Sequence, residues 1–286
     1  MPELPEVETV RTGLQQLIIG RQVLGCEVLN PGSFFGASPL EGATFQAARR
    51  RAKMLFLDLD DGRTLVVHLK MTGQLVVRGV DEWGGGHPSD SLIGELPDRS
   101  TRVIIDLDDG SRLFFNDQRK FGWMRLLPTD QAEAMTTGLG AEPMDQDAWP
   151  RFRENVRRHD RTVIKAALLN QAVVSGIGNI YADEALWSAR VHPASRVGSL
   201  SDRALKRILS AAADVMELSI ELGGSTSRNY VNAAGERGAY LDFAQVFARQ
   251  GQPCHRCGTT IVKTRVAGRG THLCPRCQRV AASKRR

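Results

Sequence analysis

Residues 251–286 hold four of the chain's five cysteines, and the spacing of those four dictates what the segment can become. Cys254-x2-Cys257 and Cys274-x2-Cys277 are separated by 16 residues. Each CxxC turn presents two thiolates to one ion, and two such turns complete a tetrahedral zinc site. With β-prone residues over 261–265 between them, the segment predicts a two-stranded ribbon around one structural zinc ion. Two disulfides would require an oxidising compartment, which nothing else in the sequence supports. His255 and His272 flank the knuckles but are not needed as ligands. Cys26, in a predicted strand, reads as a small buried hydrophobe.

The charge is as unevenly placed as the cysteines. Of the net +6, residues 1–128 contribute −2, residues 129–250 contribute −1 and residues 251–286 contribute +9, with no carboxylate in that last stretch. Lys263, Arg265, Arg269 and Arg276 surround the ribbon, and a cationic module without acids is drawn to a polyanion such as nucleic acid. A solvated basic tail ending in Ser283-Lys284-Arg285-Arg286 is the plainer alternative. The composition, 42% hydrophobic and 24% charged, is that of a globular chain and excludes a disordered one. No run of about 18 apolar residues is present, and no basic-then-apolar leader opens the chain. The expectation is a cytoplasmic monomer without membrane contact, of about two domains for its length.

Apolar residues recur at Val7, Val10, Leu14, Leu17 and Ile18, which predicts a helix over 2–20 with Glu3, Glu6 and Glu8 at its positive end. From 22 to 127 the texture becomes β. Short runs over 54–59, 64–69, 102–107 and 112–115 are punctuated by Asp60-Asp61-Gly62 and Asp108-Asp109-Gly110. Roughly eight such strands favour a two-sheet sandwich. Residues 79–100, with Gly84-Gly85-Gly86 and His87-Pro88, read as a long mobile loop or insertion. Beyond Pro128 the pattern predicts helices over 147–158, 162–169, 181–190 and 201–222, the last capped by Ser201 and stopped by Gly223-Gly224. Residues 224–250 look loop-like.

The chain opens Met1-Pro2-Glu3-Leu4-Pro5-Glu6. A methionine before proline is normally removed, leaving a secondary amine that titrates near neutral pH. Amine nucleophiles form Schiff bases with carbonyl carbons. From a secondary amine the adduct is a cationic iminium, and Glu3 beside it could serve as general acid or base. The same residues also suit an ordinary helix start, which is the cheaper reading of the residues alone.

Four blocks bear on that choice. The N-terminal Met-Pro-Glu-Leu-Pro-Glu-Val-Glu-Thr-Val resembles the opening signature of the formamidopyrimidine-DNA glycosylase family. Arg50-Arg51-Ala52-Lys53 is similar to the family's strand-entry block. Asn179-Ile180-Tyr181-Ala182-Asp183-Glu184 resembles its helix–two-turn–helix element, and Cys254 through Gly268-Arg269-Gly270-Thr271-His272-Leu273 to Cys274 its zinc ribbon. The blocks follow the family's order and span nearly the whole chain.

The resemblance implies an α+β multidomain fold. It would comprise an N-terminal β-sandwich with an N-terminal helix (1–128), a linker (129–146), a helical helix–two-turn–helix domain (147–250) and a C-terminal zinc ribbon with basic tail (251–286). It implies that Pro2 attacks C1′ of a damaged nucleotide, with Glu3 as general acid/base. Lys53 would transfer protons and touch phosphate, and Arg269 would grip phosphate with its planar, permanently charged fork. Asn179 and Arg161 would contact the DNA backbone, with Lys165 one helical turn on adding to a basic face. Met71 and Phe121 would be wedges filling the hole left by a flipped nucleotide, and Arg119 would bond the orphaned base; read without the family, Met71 and Phe121 are core residues. Cys254, Cys257, Cys274 and Cys277 would hold zinc, and no diffusible cofactor is needed.

The expected partner is damaged double-stranded DNA, bound in a basic cleft. The expected reaction is excision of oxidised purines followed by β,δ-elimination. A lid over the flipped base would lie in 224–238. The sequence departs from the family at Ser100, where a histidine is usual and where Arg99 or Arg102 could substitute. It departs also at Lys70 for a common glycine, at Asp160, and in the length of 79–99. A pyrimidine-lesion relative usually opens Pro-Glu-Gly-Pro-Glu, whereas Leu4 follows the purine-lesion branch. A non-catalytic DNA-binding zinc protein would have no need of Pro2, Glu3 and Lys53 together, and a plain abasic-site lyase would share every chemical residue.

Overall fold

The computed structural model describes residues 1–36, 38–225 and 239–280. The chain divides into two compact units, one of 1–137 with 222–239 and one of 138–221 with 240–286.

The first unit opens with helix α1 (Leu4–Leu17), whose apolar stripe of Leu4, Val7, Val10 and Leu14 is buried as its spacing predicts. Its start is a capping box: the Glu3 carboxylate accepts the Glu6 N–H, and Glu6 Oε2 accepts the Glu3 N–H at 2.8 Å. Ten strands follow among the described residues: β1 (Val23–Val28), β2 (Phe34–Phe35), β3 (Phe45–Arg51), β4 (Met54–Leu59), β5 (Arg63–His68), β6 (Gly73–Arg78), β7 (Trp83–Gly86), β8 (Thr101–Leu107), β9 (Arg112–Asp117) and β10 (Trp123–Pro128). They form two five-stranded sheets, ordered β1-β8-β9-β6-β7 and β2-β10-β5-β4-β3. The β4–β5 and β8–β9 hairpins turn on Gly62 (φ 82°) and Gly110 (φ 83°), the left-handed positions for which both Asp-Asp-Gly signals select.

Alternate residues face one shared core. Leu57, Leu65 and Met124 come from one sheet, Leu75, Ile105 and Phe115 from the other, and Val7, Val10 and Leu14 from α1. Each such buried side chain contributes roughly 1.5–3 kcal/mol, so the two sheets are held as a sandwich by area rather than by any single contact. A short helix, α2 (Thr129–Ala134), packs on β5 and β10, within the stretch expected to be linker.

The 79–100 segment differs from its expected character. β7 extends the first sheet by pairing with β6, and Leu92 packs on Val76, Ile104 and Phe114 over that sheet's outer face. Arg78 Nη2 fixes the cover by donating to the Leu92 carbonyl at 2.6 Å. Its apolar residues explain the difference: Trp83 lies so close to α1 that a Cβ on Gly13 would sit 2.3 Å from the indole.

The second unit contains α3 (Ala148–Arg157), α4 (Ile164–Leu169), α5 (Asn179–Ser188), α6 (Asp202–Glu221) and a single turn, α7 (Tyr240–Phe243). α5 is buried on nearly all sides from Tyr181 to Trp187, which makes it the core helix of this unit. Ser201 Oγ caps α6 by accepting the Ala204 N–H at 3.2 Å, and Gly223 (φ 73°) and Gly224 (φ 91°) end it. β11 (Val262–Val266) and β12 (Arg269–Leu273) pair antiparallel, forming the expected ribbon. The lid expected over 224–238 falls largely outside the described residues. No helix among the described residues is long and apolar enough to cross a membrane.

Candidate active site

Pro2, Glu3 and Lys53 are all buried in the first unit, Glu3 at 3% exposure and Lys53 at 7%. Glu3 is at once the expected acid/base and the residue that starts α1. Glu6, expected only as a carboxylate at the positive end of α1, bridges the region: one oxygen holds the Glu3 N–H and the other accepts the Ser225 N–H at 2.8 Å. The Glu-x-x-Glu spacing at the helix start is the signal that finds it.

Lys53 sits in the two-residue turn between β3 and β4, where Ala52 adopts φ 53° and Arg51 pairs with Met54. α1 is strapped to this hairpin. Arg50 Nε meets Glu8 Oε2 at 2.8 Å, Arg50 Nη1 donates to the Ala52 carbonyl at 3.1 Å, and the Ala48 N–H donates to Gln15 at 3.1 Å. Burial raises the Glu8 carboxyl's pKa, but hydrogen bonds from Arg50 and Arg11 outweigh it and hold the group below the usual carboxylate range. Burial, then the charges of Lys70 and Lys53, push the His68 imidazole down to about 3. It is therefore neutral, and because Nδ1 accepts the Lys70 N–H at 3.1 Å, its own proton lies on Nε2.

Met71 and Phe121 are exposed, at 36% and 52%, so neither is a core residue. The Arg119 guanidinium lies 4.9 Å from the centre of the Phe121 ring, a cation–π contact that holds the two side chains together. Their loops meet where Gly73 of β6 pairs with Asp117 of β9. Asp117 is fully buried and joins them: Oδ1 accepts the Thr72 hydroxyl and the Arg119 N–H, and Oδ2 accepts the Gly122 N–H at 2.6 Å. Thr72 also accepts the Arg119 N–H at 3.0 Å. An aspartate two residues before an arginine in a turn is an Asx-turn signal, which points to Asp117 but not to its distant partner Thr72.

Ser100 is buried, with its hydroxyl bonded to Asp98 at 2.6 Å and against Ser91 at 3.0 Å. Arg102 is buried too, donating to the Asp117 carbonyl at 2.8 Å, whereas Arg99 is exposed. Of the two arginines expected to replace the missing histidine, only Arg99 presents itself to solvent.

In the second unit Asn179 is the first residue of α5, and its Oδ1 has no hydrogen-bond partner among the described residues. Arg161 is exposed just before α4. Lys165 does not share a basic face with it: 161–163 are not helical, α4 begins only at Ile164, and the Lys165 side chain is fully buried against Asp183. Arg157 is paired with Asp202 and Arg158 with Glu154. Asp160 is exposed beside Arg157.

Arg269 is exposed at the first position of β12, after a turn through Ala267 (φ 49°) and Gly268 (φ 75°). Behind it, the sulfurs of Cys254, Cys257, Cys274 and Cys277 all lie within 4.8 Å of one another. Sγ–Sγ distances of 3.4 Å (257–277), 3.5 Å (257–274) and 4.0 Å (254–277) bracket the roughly 3.8 Å edge of a tetrahedron with 2.3 Å zinc–sulfur bonds. Four thiolates fit one zinc ion and leave no open position, so the ion is structural. His255 and His272 bond to Gln245 and Gln250 instead.

Three family models cover the chain. The formamidopyrimidine-DNA glycosylase N-terminal domain matches 1–124, the formamidopyrimidine-DNA glycosylase H2TH domain 139–231, and the zinc finger found in FPG and IleRS 251–280. The chain is 42% identical to the formamidopyrimidine-DNA glycosylase of Streptococcus thermophilus over 290 aligned residues, covering 98% of this chain and 100% of the relative. Among solved structures it resembles a mutant Lactococcus lactis FPG in complex with a Fapy-dG containing DNA, with TM-score 0.86, 34% identity and coverage of 97% and 99%. It also resembles the Lactococcus lactis enzyme non-covalently bound to an AP-site containing DNA, with TM-score 0.82, 33% identity and coverage of 96% and 99%. The chain belongs to the formamidopyrimidine-DNA glycosylase family.

Proposed function

We propose that this protein is a bifunctional DNA glycosylase and AP lyase of base excision repair that removes oxidised purines, 8-oxoguanine and formamidopyrimidines, from duplex DNA. The observation that carries the reading is the buried Pro2–Glu3 start of α1, strapped to the hairpin that holds Lys53. A helix start needs no buried lysine nearby, whereas an amine nucleophile needs a proton acceptor and a cation. The cell's own DNA as substrate gives the protein a place in the cytoplasm, at the nucleoid.

With Met1 removed, the Pro2 nitrogen attacks C1′ of the flipped nucleotide; the N–C1′ bond forms as the bond to the base breaks, and the base leaves with a proton. Glu3 then assists opening of the sugar ring by proton transfer, which gives a cationic iminium at C1′. The iminium acidifies the C2′ proton, so the 3′ phosphate leaves by β-elimination. Loss of the 5′ phosphate by δ-elimination then leaves a one-nucleotide gap. Lys53 and Arg269 stabilise the departing phosphates, Arg269 by a two-pronged grip. Met71, Arg119 and Phe121 fill the emptied stack, and Arg161 and Asn179 hold the backbone. Zinc, held by its four cysteines, supplies structure to the ribbon and takes no part in these steps.

The test is cleavage of a duplex with one 8-oxoguanine opposite cytosine. A one-nucleotide gap bearing phosphate at both ends is expected. Cleavage of an abasic duplex alone would reduce the protein to a lyase, and cleavage of neither would remove the enzymatic reading.

A further inference from the structure

The ribbon that presents Arg269 has two strands, and its apolar cluster with Trp187 of α5, formed by Val246, Cys254, Ile261 and Cys274, lies at the knuckle end, so something else must fix the direction in which the far turn points. The zinc ion ties the knuckles at 254–257 and 274–277, at the base of the hairpin; Arg269 lies at the far end, beside the turn. What reaches that end is a buried polar cluster from the helices. Lys165 of α4 and Asp183 of α5 are both fully buried, with Nζ and Oδ1 2.6 Å apart. Lys165 Nζ also donates to the Gly270 carbonyl at 2.9 Å and to Thr271 Oγ1 at 2.8 Å. The Thr271 hydroxyl in turn donates to the Arg269 carbonyl at 3.0 Å. The second oxygen of Asp183 accepts the His272 N–H at 2.8 Å. Three successive residues after Arg269 are thus bound to one buried ion pair, and a hydroxyl relays that hold to Arg269 itself.

The next residue of α5 does the same for the chain entering the module. Glu184 accepts the N–H groups of Gln245, Val246 and Phe247 at 2.8, 2.9 and 2.8 Å. Neighbouring carboxylates on one helix therefore anchor both the approach to the zinc module and the strand that leaves Arg269.

A buried ion pair is a poor source of stability, since desolvation offsets most of its attraction and an apolar pair of similar volume often does as well. What apolar side chains cannot supply is directional bonding to a backbone carbonyl, a hydroxyl and an N–H. We infer that Lys165, Asp183 and Thr271 are positioning residues that aim Arg269, fixing its backbone beyond what the zinc ion holds at the knuckles. The inference rests on the phosphate-gripping role proposed for Arg269.

The test uses the full-length zinc-loaded protein and the variants Thr271→Val, Thr271→Ser, the double variant Lys165→Met with Asp183→Leu, and Arg269→Ala. Zinc content, amide exchange over 269–273, base release and the elimination step are measured for each. Thr271→Val should keep one zinc per chain, exchange the Gly270 and His272 amides faster, and slow elimination on the order of tenfold while base release changes little. Thr271→Ser should restore both, and the double variant should behave like Thr271→Val or worse. Unchanged exchange in both Thr271→Val and the double variant would overturn the inference. Slower elimination without faster exchange would overturn it too, because Thr271 would then be acting on DNA directly. Arg269→Ala with normal elimination would instead overturn the role of Arg269, a failure the exchange data keep separate from that of the clamp.

Discussion

Two hairpin turns in this molecule each present a cation, and they are held in opposite ways. The β3–β4 turn places Lys53 beside Ala52 at φ 53°, and the β11–β12 turn precedes Arg269 with Ala267 at φ 49° and Gly268 at φ 75°. Lys53 is 7% exposed on the edge hairpin of a five-stranded sheet, with the shared apolar core behind it and α1 strapped alongside. Arg269 is exposed on a two-stranded ribbon that must borrow its rigidity from four cysteines and a buried ion pair. Burial makes the first cation part of a water-poor site, where its field reaches the neighbouring His68. The second is free to meet a ligand but depends on ligation and directional bonds. A small module with little core of its own buys its geometry with metal and polar contacts.

The largest effect that could break this contrast is removal of zinc. Structural zinc in small modules contributes about 10–16 kcal/mol of folding free energy, so chelation should abolish amide protection over 254–277. Protection in the sandwich, at residues such as Phe115, should persist. Collapse of both regions together would show that they are held by one device. A substitution in the shared core tests the other side: Phe115→Ala should cost about 3–5 kcal/mol in a denaturant titration while zinc content stays at one per chain.

A smaller effect is expected at Asp117. Asp117→Asn weakens the bonds to the Thr72 hydroxyl and to the Arg119 and Gly122 N–H groups, at about 1.5–3 kcal/mol for a bond to a charged group. The protein should remain folded while its discrimination between bases opposite the lesion falls, read as the ratio of cleavage rates on the four duplexes. An unaltered ratio with lowered stability would make Asp117 a purely structural residue. Gly13→Ala should cost about 1–3 kcal/mol, because the new methyl meets the Trp83 ring at 2.3 Å and β7 must give way.

An effect of a different kind, seen only as pH falls, is the dependence contributed by His68. Its folded value near 3 lies below the ordinary imidazole value of 6.5, so the unfolded chain binds the proton more readily. The stability it contributes is fully present above pH 6.5 and is lost as pH falls from there toward 3. Thermal midpoints over pH 4–7 should therefore slope less in His68→Gln than in the parent, and identical slopes would contradict a neutral, buried imidazole.

What was legible in the sequence was what neighbours in the chain decide. α1 follows from apolar spacing and a carboxylate at its start, the two Asp-Asp-Gly hairpins from a left-handed glycine, and the ribbon from paired CxxC turns. What escaped was decided by partners far along the chain. Lys165 reads as a surface cation until Asp183, eighteen positions on, is seen to bury it. Thr72 gives no local hint of Asp117. The glycine-rich 79–100 segment reads as loose until Leu92 is found on Val76, Ile104 and Phe114. Within the candidate site the chemical residues carry recognisable motifs, whereas the pairings that hold them, Thr72 with Asp117 and Lys165 with Asp183, join distant parts of the chain and leave no local sign.

The central claim, that the Pro2 amine is the nucleophile, is tested most directly by borohydride trapping on a duplex bearing 8-oxoguanine opposite cytosine. An abasic duplex is run beside it, and the adduct is mapped by peptide. The account predicts a covalent adduct on both duplexes, carried by the N-terminal peptide with Met1 removed. An adduct on Lys53 or elsewhere, or none from protein with Met1 removed and zinc bound, would contradict it.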